Sequence, residues 1–231
     1  MSFRNAFLWA LGPTDLAALT PDLEATILGR GQILCEVGEG PDNVYFPSES
    51  VLSSVAVLSD GRTLETSSLG FEGVGGLLSA MTEIPLETRM SVQIGGGAMT
   101  LPAAKLRGRA AESPDLMRLV LKHAQYNAGQ AEQRVACIGT HILSQRLARS
   151  LLISQDRVAS AIMLLTQDYI EVMAGALRSS VDSVVKGFEE AGLITYAHGR
   201  LEILDRPGLE RRACECYALD RASRELLFLR S

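Results

Sequence analysis

Between about Arg30 and Leu106, apolar residues come in short runs closed by turn residues. Ile33–Val37 ends at Gly38-Glu39-Gly40-Pro41-Asp42, and Val44-Tyr45-Phe46 ends at Pro47-Ser48-Glu49-Ser50. Val51–Leu58 alternates and meets Ser59-Asp60-Gly61-Arg62, a hairpin signal that Thr63–Leu69 answers. Met90–Ile94 and Ala98–Leu101 flank Gly95-Gly96-Gly97, which reads as a turn between strands. Short strands at this spacing predict a sandwich or barrel. Residues 1–26 read as short helix and turn, with Thr20 as an N-cap and Pro21 at the first helical position.

From Ser113 the pattern turns helical and stays so. Ser113-Pro114 gives an N-cap followed by a proline at the first helical position. Leu116, Leu119/Val120, Ala124, Ala131, Val135, Ile138 and Ile142 recur at helical spacing, with Asn127 in the same series. The stretch to about Asn127 is also compatible with a short helix of its own. A helix this long needs something to lie against, either a second copy of the chain or its own barrel, and different faces can serve both. His123, Asn127, Gln130 and Arg134 are the polar members of this region. They are expected to set register, to reach into a pocket or, for the last two, to face solvent.

Leu165–Leu204 carries the most specific pattern. Thr166 caps a helix over Gln167–Ala174, and Gly175-Ala176-Leu177 makes a tight turn. A second helix, Ser179–Glu190, has Val181, Val184, Val185 and Phe188 at 3/4 spacing. Two strands within 195–204 are joined by His198-Gly199. Helix, turn, helix and hairpin form a winged helix-turn-helix, whose second helix enters the major groove by its N-terminal end. The polar face there offers Arg178, Ser179, Ser180, Asp182, Ser183 and Lys186. Arginine suits guanine, aspartate accepts from cytosine and lysine suits phosphate. Asp182 has two readings, a base contact or an intrahelical pair with Lys186, and Arg178 could pair with Asp182 four residues on. Thr166, Gln167, His198 and Arg200 complete the expected DNA-binding set, with Thr166, Gln167, Arg200 and Lys186 on phosphates.

Composition narrows the chemistry. The 231 residues carry 22 Lys+Arg against 27 Asp+Glu, a net charge of −5. Residues 150–231 hold 10 basic against 12 acidic side chains, so DNA contact must come from a local patch. With 47% hydrophobic residues the chain is a folded globular one of one large or two small domains. No apolar run approaches the roughly 20 residues of a membrane span. The heptamer Ala6–Gly12 is too short and weakly flanked for a signal peptide, so a cytoplasmic protein is expected. HExxH, GxSxG, a P-loop and a Rossmann glycine fingerprint are all missing, and no enzyme is expected. Cys35, Cys137, Cys214 and Cys216 read as ordinary free thiols. Cys214 and Cys216 fall in a stretch read as helix, where they would point about 200° apart. No histidine has a partner at metal-ligand spacing, so no metal site is expected.

In order and spacing, a series of motifs resembles the Crp/Fnr superfamily of bacterial transcription regulators. They are Arg30-Gly31-Gln32-Ile33-Leu34, Val44-Tyr45-Phe46-Pro47, Asp60-Gly61-Arg62, Gln145-Arg146-Leu147-Ala148-Arg149, Arg178-Ser179-Ser180-Val181, Glu190-Ala191-Gly192-Leu193-Ile194 and Gly199–Asp205. The resemblance covers about residues 14–217. It implies an α+β chain: a cupin-like jelly-roll (β-roll) effector domain over 1–112, a dimerisation helix region over 113–148 and a winged helix-turn-helix domain over 149–231. It also implies a homodimer on double-stranded DNA with an inverted-repeat operator, and RNA polymerase as a further partner. A module of the same fold that binds a ligand or a protein without reading DNA is the alternative.

The effector motif departs from the family's cyclic-nucleotide pattern. Gly73-Val74-Gly75-Gly76-Leu77 has valine where the ribose-binding glutamate belongs, and Arg89 is followed by Met90. This argues against standard cyclic AMP binding, although Glu72 could be displaced into the missing role. The expected effector site is Gly73, Gly75, Gly76, Thr88 and Arg89, with His123 and Asn127 from the long helix. Backbone NH groups beside one arginine favour a small anion. The family's N-terminal iron–sulfur cysteines are absent, and Cys35 alone is available in this domain for heme, so neither cofactor is supported.

Overall fold

The computed structural model describes residues 4–158 and 160–228. Two short helices, α1 (Ala6–Ala10) and α2 (Pro13–Leu19), lead into a 3-10 turn, Thr20–Asp22. Thr20 lies inside that turn, with Leu19 in the capping position, so the expected Thr20 cap is not formed. The first strand, β1 (Glu24–Leu28), then starts where the sequence read helix and turn. It is an edge strand with Ile27 81% exposed, so its apolar alternation carries little signal.

β1 pairs with β7 (Gly96–Pro102), and β7 with β3 (Asn43–Pro47), in one antiparallel sheet. The second sheet runs in the order β2 (Ile33–Cys35), β6 (Arg89–Ile94), β4 (Val51–Val57), β5 (Thr63–Leu69). The glycine run is a corner between the sheets rather than a hairpin. At Gly95 and Gly96 a side chain would meet the backbones of Leu28 and Glu49. A short α3 (Leu77–Thr82) and α4 (Ala103–Glu112) complete the domain. Phe7, Leu8, Phe46, Leu77, Leu101 and Leu106 form its main core.

α5 runs unbroken from Pro114 to Thr140. Its N-cap is the expected one: Ser113 Oγ accepts from Leu116 N at 3.2 Å and donates to Asp15 at 2.9 Å. The helix stops at His141, and a separate α6 (Leu143–Arg157) follows. Gln145–Arg149 therefore lies in α6, apart from the long helix. The expected boundary after residue 148 also falls inside α6, whose Leu147, Ala148, Leu151 and Leu152 belong to the C-terminal core.

That core is shared by β8 (Ile162–Leu164), α7 (Gln167–Ala174), α8 (Arg178–Glu190), and the wing strands β9 (Ile194–Ala197) and β10 (Arg200–Ile203). β8 pairs with β10 and makes the wing a three-stranded sheet, a strand the sequence reading passed over as helix. α9 (Arg206–Arg212) and α10 (Cys216–Phe228) close the chain, and α10 returns along α5.

Candidate nucleic-acid interface and effector cavity

The candidate reading head is built by local rules. Thr166 Oγ1 accepts from Tyr169 N at 3.2 Å, starting α7. Gly175 ends it at φ 59°, a left-handed conformation that glycine adopts without cost. Val181, Val185 and Phe188 bury one side of α8. Ser179, Ser180, Asp182, Ser183 and Lys186 are left exposed on the other. The wing turns through His198 (φ 52°) and Gly199 (φ 72°), the two left-handed residues of a tight hairpin. Arg200 opens its second strand and is exposed, as is His198.

The structure thus brings all ten expected DNA-binding residues onto α7, α8 and the wing. It pairs them differently from the sequence expectation. Arg178 reaches back across the turn to α7, with Asp168 at 3.1 Å and Glu171 at 3.6 Å. Side chains on a helix lean towards its N-terminus, which carries Arg178 away from Asp182. Asp182 instead accepts from the amide of Gln167. Lys186 pairs with Glu190 at 3.7 Å rather than with Asp182.

The effector region departs further from the expected site. A cavity of about 170 Å³ lies between the β-roll and α5, with Gly75, Gly76, Asn127 and Gln130 in its wall. Ser54, Ser67 and Ser68 add hydroxyls, and Leu52, Leu69 and Met90 add apolar surface. Its wall residues include no charged side chain. At Gly75 a Cβ would stand 2.6 Å from Leu52 Cδ1, so a side chain there would have to push the Leu52 side chain aside. Gly73, Thr88 and Arg89 are not in the wall, and Arg89 is held by Glu36 at 2.9 Å. His123 is also outside it, buried with its ring 5.0 Å from that of Phe7. Burial away from water pushes its imidazole down to about 4, so it is neutral.

Glu72 does not take the missing glutamate's place. It is fully buried on Arg157 of α6 at 2.7 Å, and Ser68 accepts a second bond from the same guanidinium. A side chain at Gly70 would strike Arg157 at 2.7 Å, so that glycine makes room for the pair. A second lock lies nearby. Arg134 of α5 meets Glu65 of β5 at 2.9 Å, and Glu65 also accepts from Ser53 and from Tyr169 of α7. Arg134 donates to the Met173 carbonyl and Arg146 to that of Ala174, satisfying the end of α7. Arg134 is therefore neither solvent-facing nor in the cavity. These inter-domain locks were missed because sequence spacing gives no hint that carboxylates in the β-roll face arginines 69 and 85 positions on.

α5 also has an uncovered apolar face. Leu121, Ala124, Ala128, Ala131, Val135 and Ile138 follow one another in alternating steps of three and four, and Ile142 continues the series. Leu121 is 61% exposed, Val135 74% and Ile142 66%. Leu116 and Val120, which the sequence placed in the same stripe, are buried in the β-roll core instead.

Residues 145–212 match the family model described as a Crp-like helix-turn-helix domain. The chain is 25% identical over 199 residues to the HTH-type transcriptional regulator Cmr of Mycobacterium tuberculosis, covering 86% of this chain and 80% of that one. It is 24% identical over 217 residues to the CRP-like cAMP-activated global transcriptional regulator of the same species, covering 91% and 97%. In fold it is similar to FixK2 from Bradyrhizobium japonicum, with a TM-score of 0.71 at 16% identity over 83% of this chain and 98% of that one. A CRP-family transcriptional regulator from Thermus thermophilus, TTHB099, superposes with a TM-score of 0.68 at 22% identity over 81% and 96%. With its α7–turn–α8 unit and wing, the chain carries a Crp-like helix-turn-helix domain over residues 145–212, and along most of its length it is similar to Crp/Fnr transcription regulators.

Proposed function

We propose that the protein reads an inverted repeat in double-stranded DNA as a homodimer, with α8 of each copy in the major groove. The observation that carries this is the exposed N-terminal face of α8, where Arg178, Ser179, Asp182 and Ser183 stand clear of the core. The uncovered stripe on α5 supports the dimer, since apolar residues at a and d spacing pack against a second helix. A two-fold axis through that stripe would set half-sites about 34 Å apart. Shift assays on the chain's upstream DNA across a salt series test the proposal. Specific binding keeps its sequence preference as salt rises, whereas purely electrostatic binding fades on all sequences alike. Light scattering that finds a monomer at micromolar concentration contradicts the dimer.

The second reading, a ligand or protein module of the same fold, draws on Arg178 being tied to two carboxylates in an acidic domain. Surface ion pairs are weak, about 0–1 kcal/mol, so guanine or phosphate can displace them. For the β-roll, the cavity as it stands suits a small uncharged polar effector. A small anion would need Arg89 to exchange Glu36 for the ligand. Cyclic AMP lacks its ribose acceptor here because Glu72 is committed to Arg157. No helix among the described residues is long and apolar enough to cross a membrane. With a DNA target the protein would act in the cytoplasm, with RNA polymerase as the partner through which it would act. The proposal includes no enzymatic step.

A further inference from the structure

The fold gathers four metal-ligating side chains that the sequence keeps far apart. Cys137 lies in the last turn of α5, and His141 follows directly after the helix. Cys214 precedes α10, and Cys216 is its first residue, so the two do not share the helical geometry expected of them. All three cysteines are buried, and the ligand atoms of the four residues lie within 4.8 Å of one another. Cys137 Sγ and Cys214 Sγ are 3.6 Å apart, and Cys216 Sγ is 3.7 Å from His141 Nδ1. A tetrahedral zinc ion with bonds of about 2.3 Å to sulfur and about 2.0 Å to nitrogen sets its ligands about 3.5–3.8 Å apart.

We propose that Cys137, His141, Cys214 and Cys216 form a closed four-ligand site for one zinc ion, fastening the end of α5 to the α9–α10 corner. The surroundings complete it. His141 turns Nδ1 towards Cys216 and Nε2 towards the Glu215 carboxylate at 3.1 Å, the outer-sphere arrangement that orients a metal-bound imidazole. Gln133 Nε2 donates to Cys216 Sγ at 3.0 Å. Cys214 and Cys216 flank the N-terminus of a 13-residue helix, which fixes their backbones side by side. Three thiolates, a neutral imidazole and a divalent ion sum to one negative charge. Ligand atoms this close fit a single ion. An iron–sulfur cluster spreads its protein ligands over several metal atoms and needs them farther apart. Three thiols and one imidazole are also the donor set of structural zinc, and with four protein ligands no position remains open for catalysis. Binding displaces the three thiol protons and involves no oxidant or reductant.

The test uses the full chain, purified without affinity histidines or chelator, with metal content measured by inductively coupled plasma mass spectrometry. One zinc per chain is expected, retained in Cys35→Ser and lost in Cys214→Ser and Cys216→Ser. Because those variants could misfold, the wild-type protein gives a second readout. Alkylation should label Cys137, Cys214 and Cys216 several-fold faster after the metal is stripped, and added Co²⁺ should produce thiolate-to-cobalt charge-transfer absorption. Wild-type protein with no stoichiometric metal and no cobalt–thiolate band overturns the proposal. So does a Cys137–Cys214 disulfide in metal-free protein as isolated, or metal retained in both cysteine variants.

Discussion

Arg157 and Arg178 both end on carboxylates, and the two pairs have opposite meanings. Arg157 and Glu72 are fully buried and join α6 to the β-roll. Burial is the largest single influence and works against the Arg157 charge, but Glu72 together with Tyr126 and Asp220 outweighs it and holds the guanidinium above its ordinary range. Arg178 is 60% exposed, and its partners Asp168 and Glu171 belong to the neighbouring helix of the same unit. The buried pair cannot exchange its partner for water without a large desolvation cost, whereas the exposed one can exchange its partner for DNA. Environment, not residue type, separates a buried arginine that locks two elements from an exposed one free to change partners.

The strongest way to break the comparison is Arg157→Ala, which leaves Glu72 buried without a counter-charge. It should cost roughly 3–5 kcal/mol in urea unfolding. Joint replacement, Arg157→Met with Glu72→Leu, should restore much of that stability. A single substitution costing under about 1 kcal/mol would remove the lock.

Next comes the buried imidazole, which unlike Arg157 has no partner strong enough to keep it charged. His123 titrates near 6.5 when unfolded and at about 4 when folded, so the unfolded chain takes up the proton first. Stability is therefore complete above about pH 6.5 and falls as pH drops towards 4, by on the order of 3 kcal/mol. Unfolding midpoints across that range should slope in wild type and flatten in His123→Phe. Equal slopes would assign the loss to other groups.

Arg178→Ala sharpens the other side. It should leave unfolding almost unchanged while costing about 1–3 kcal/mol in operator affinity, with relaxed preference at one position per half-site. Equal binding of wild type and variant to every operator variant would assign Arg178 to its α7 carboxylates alone. Smallest is Lys186→Ala, which should weaken all sequences alike and lower the salt slope by about one per contact. An unchanged slope would remove Lys186 from the phosphate contacts.

The reading head was legible because local signals specify it: Thr166 before α7, Gly175 after it, valines at 3/4 spacing in α8, and His198-Gly199 between strands. β1 and β8 were not legible. The first is an exposed edge strand, and the second is a three-residue strand next to a long helical stretch. The α5 stripe was half legible, because two apolar faces overlap on one helix and only packing separates Leu116 and Val120 from Leu121 and Val135. Partners across the domain boundary, Glu65 with Arg134 and Glu72 with Arg157, depend on how the chain returns upon itself. The convergence of Cys137 and His141 with Cys214 and Cys216 depends on the same return.

One consequence of α5 concerns stiffness. Asn127 in the cavity wall and Arg134 beneath α7 are seven residues apart on one unbroken helix. That is about 10 Å of rise at 1.5 Å per residue, with no proline or kink between them. A sliding or screw motion of the helix displaces both ends together, like the two ends of a bolt. The wall of the cavity and the last carbonyls of α7 are mechanically one part, so the distance between cavity and helix-turn-helix is spanned without a joint.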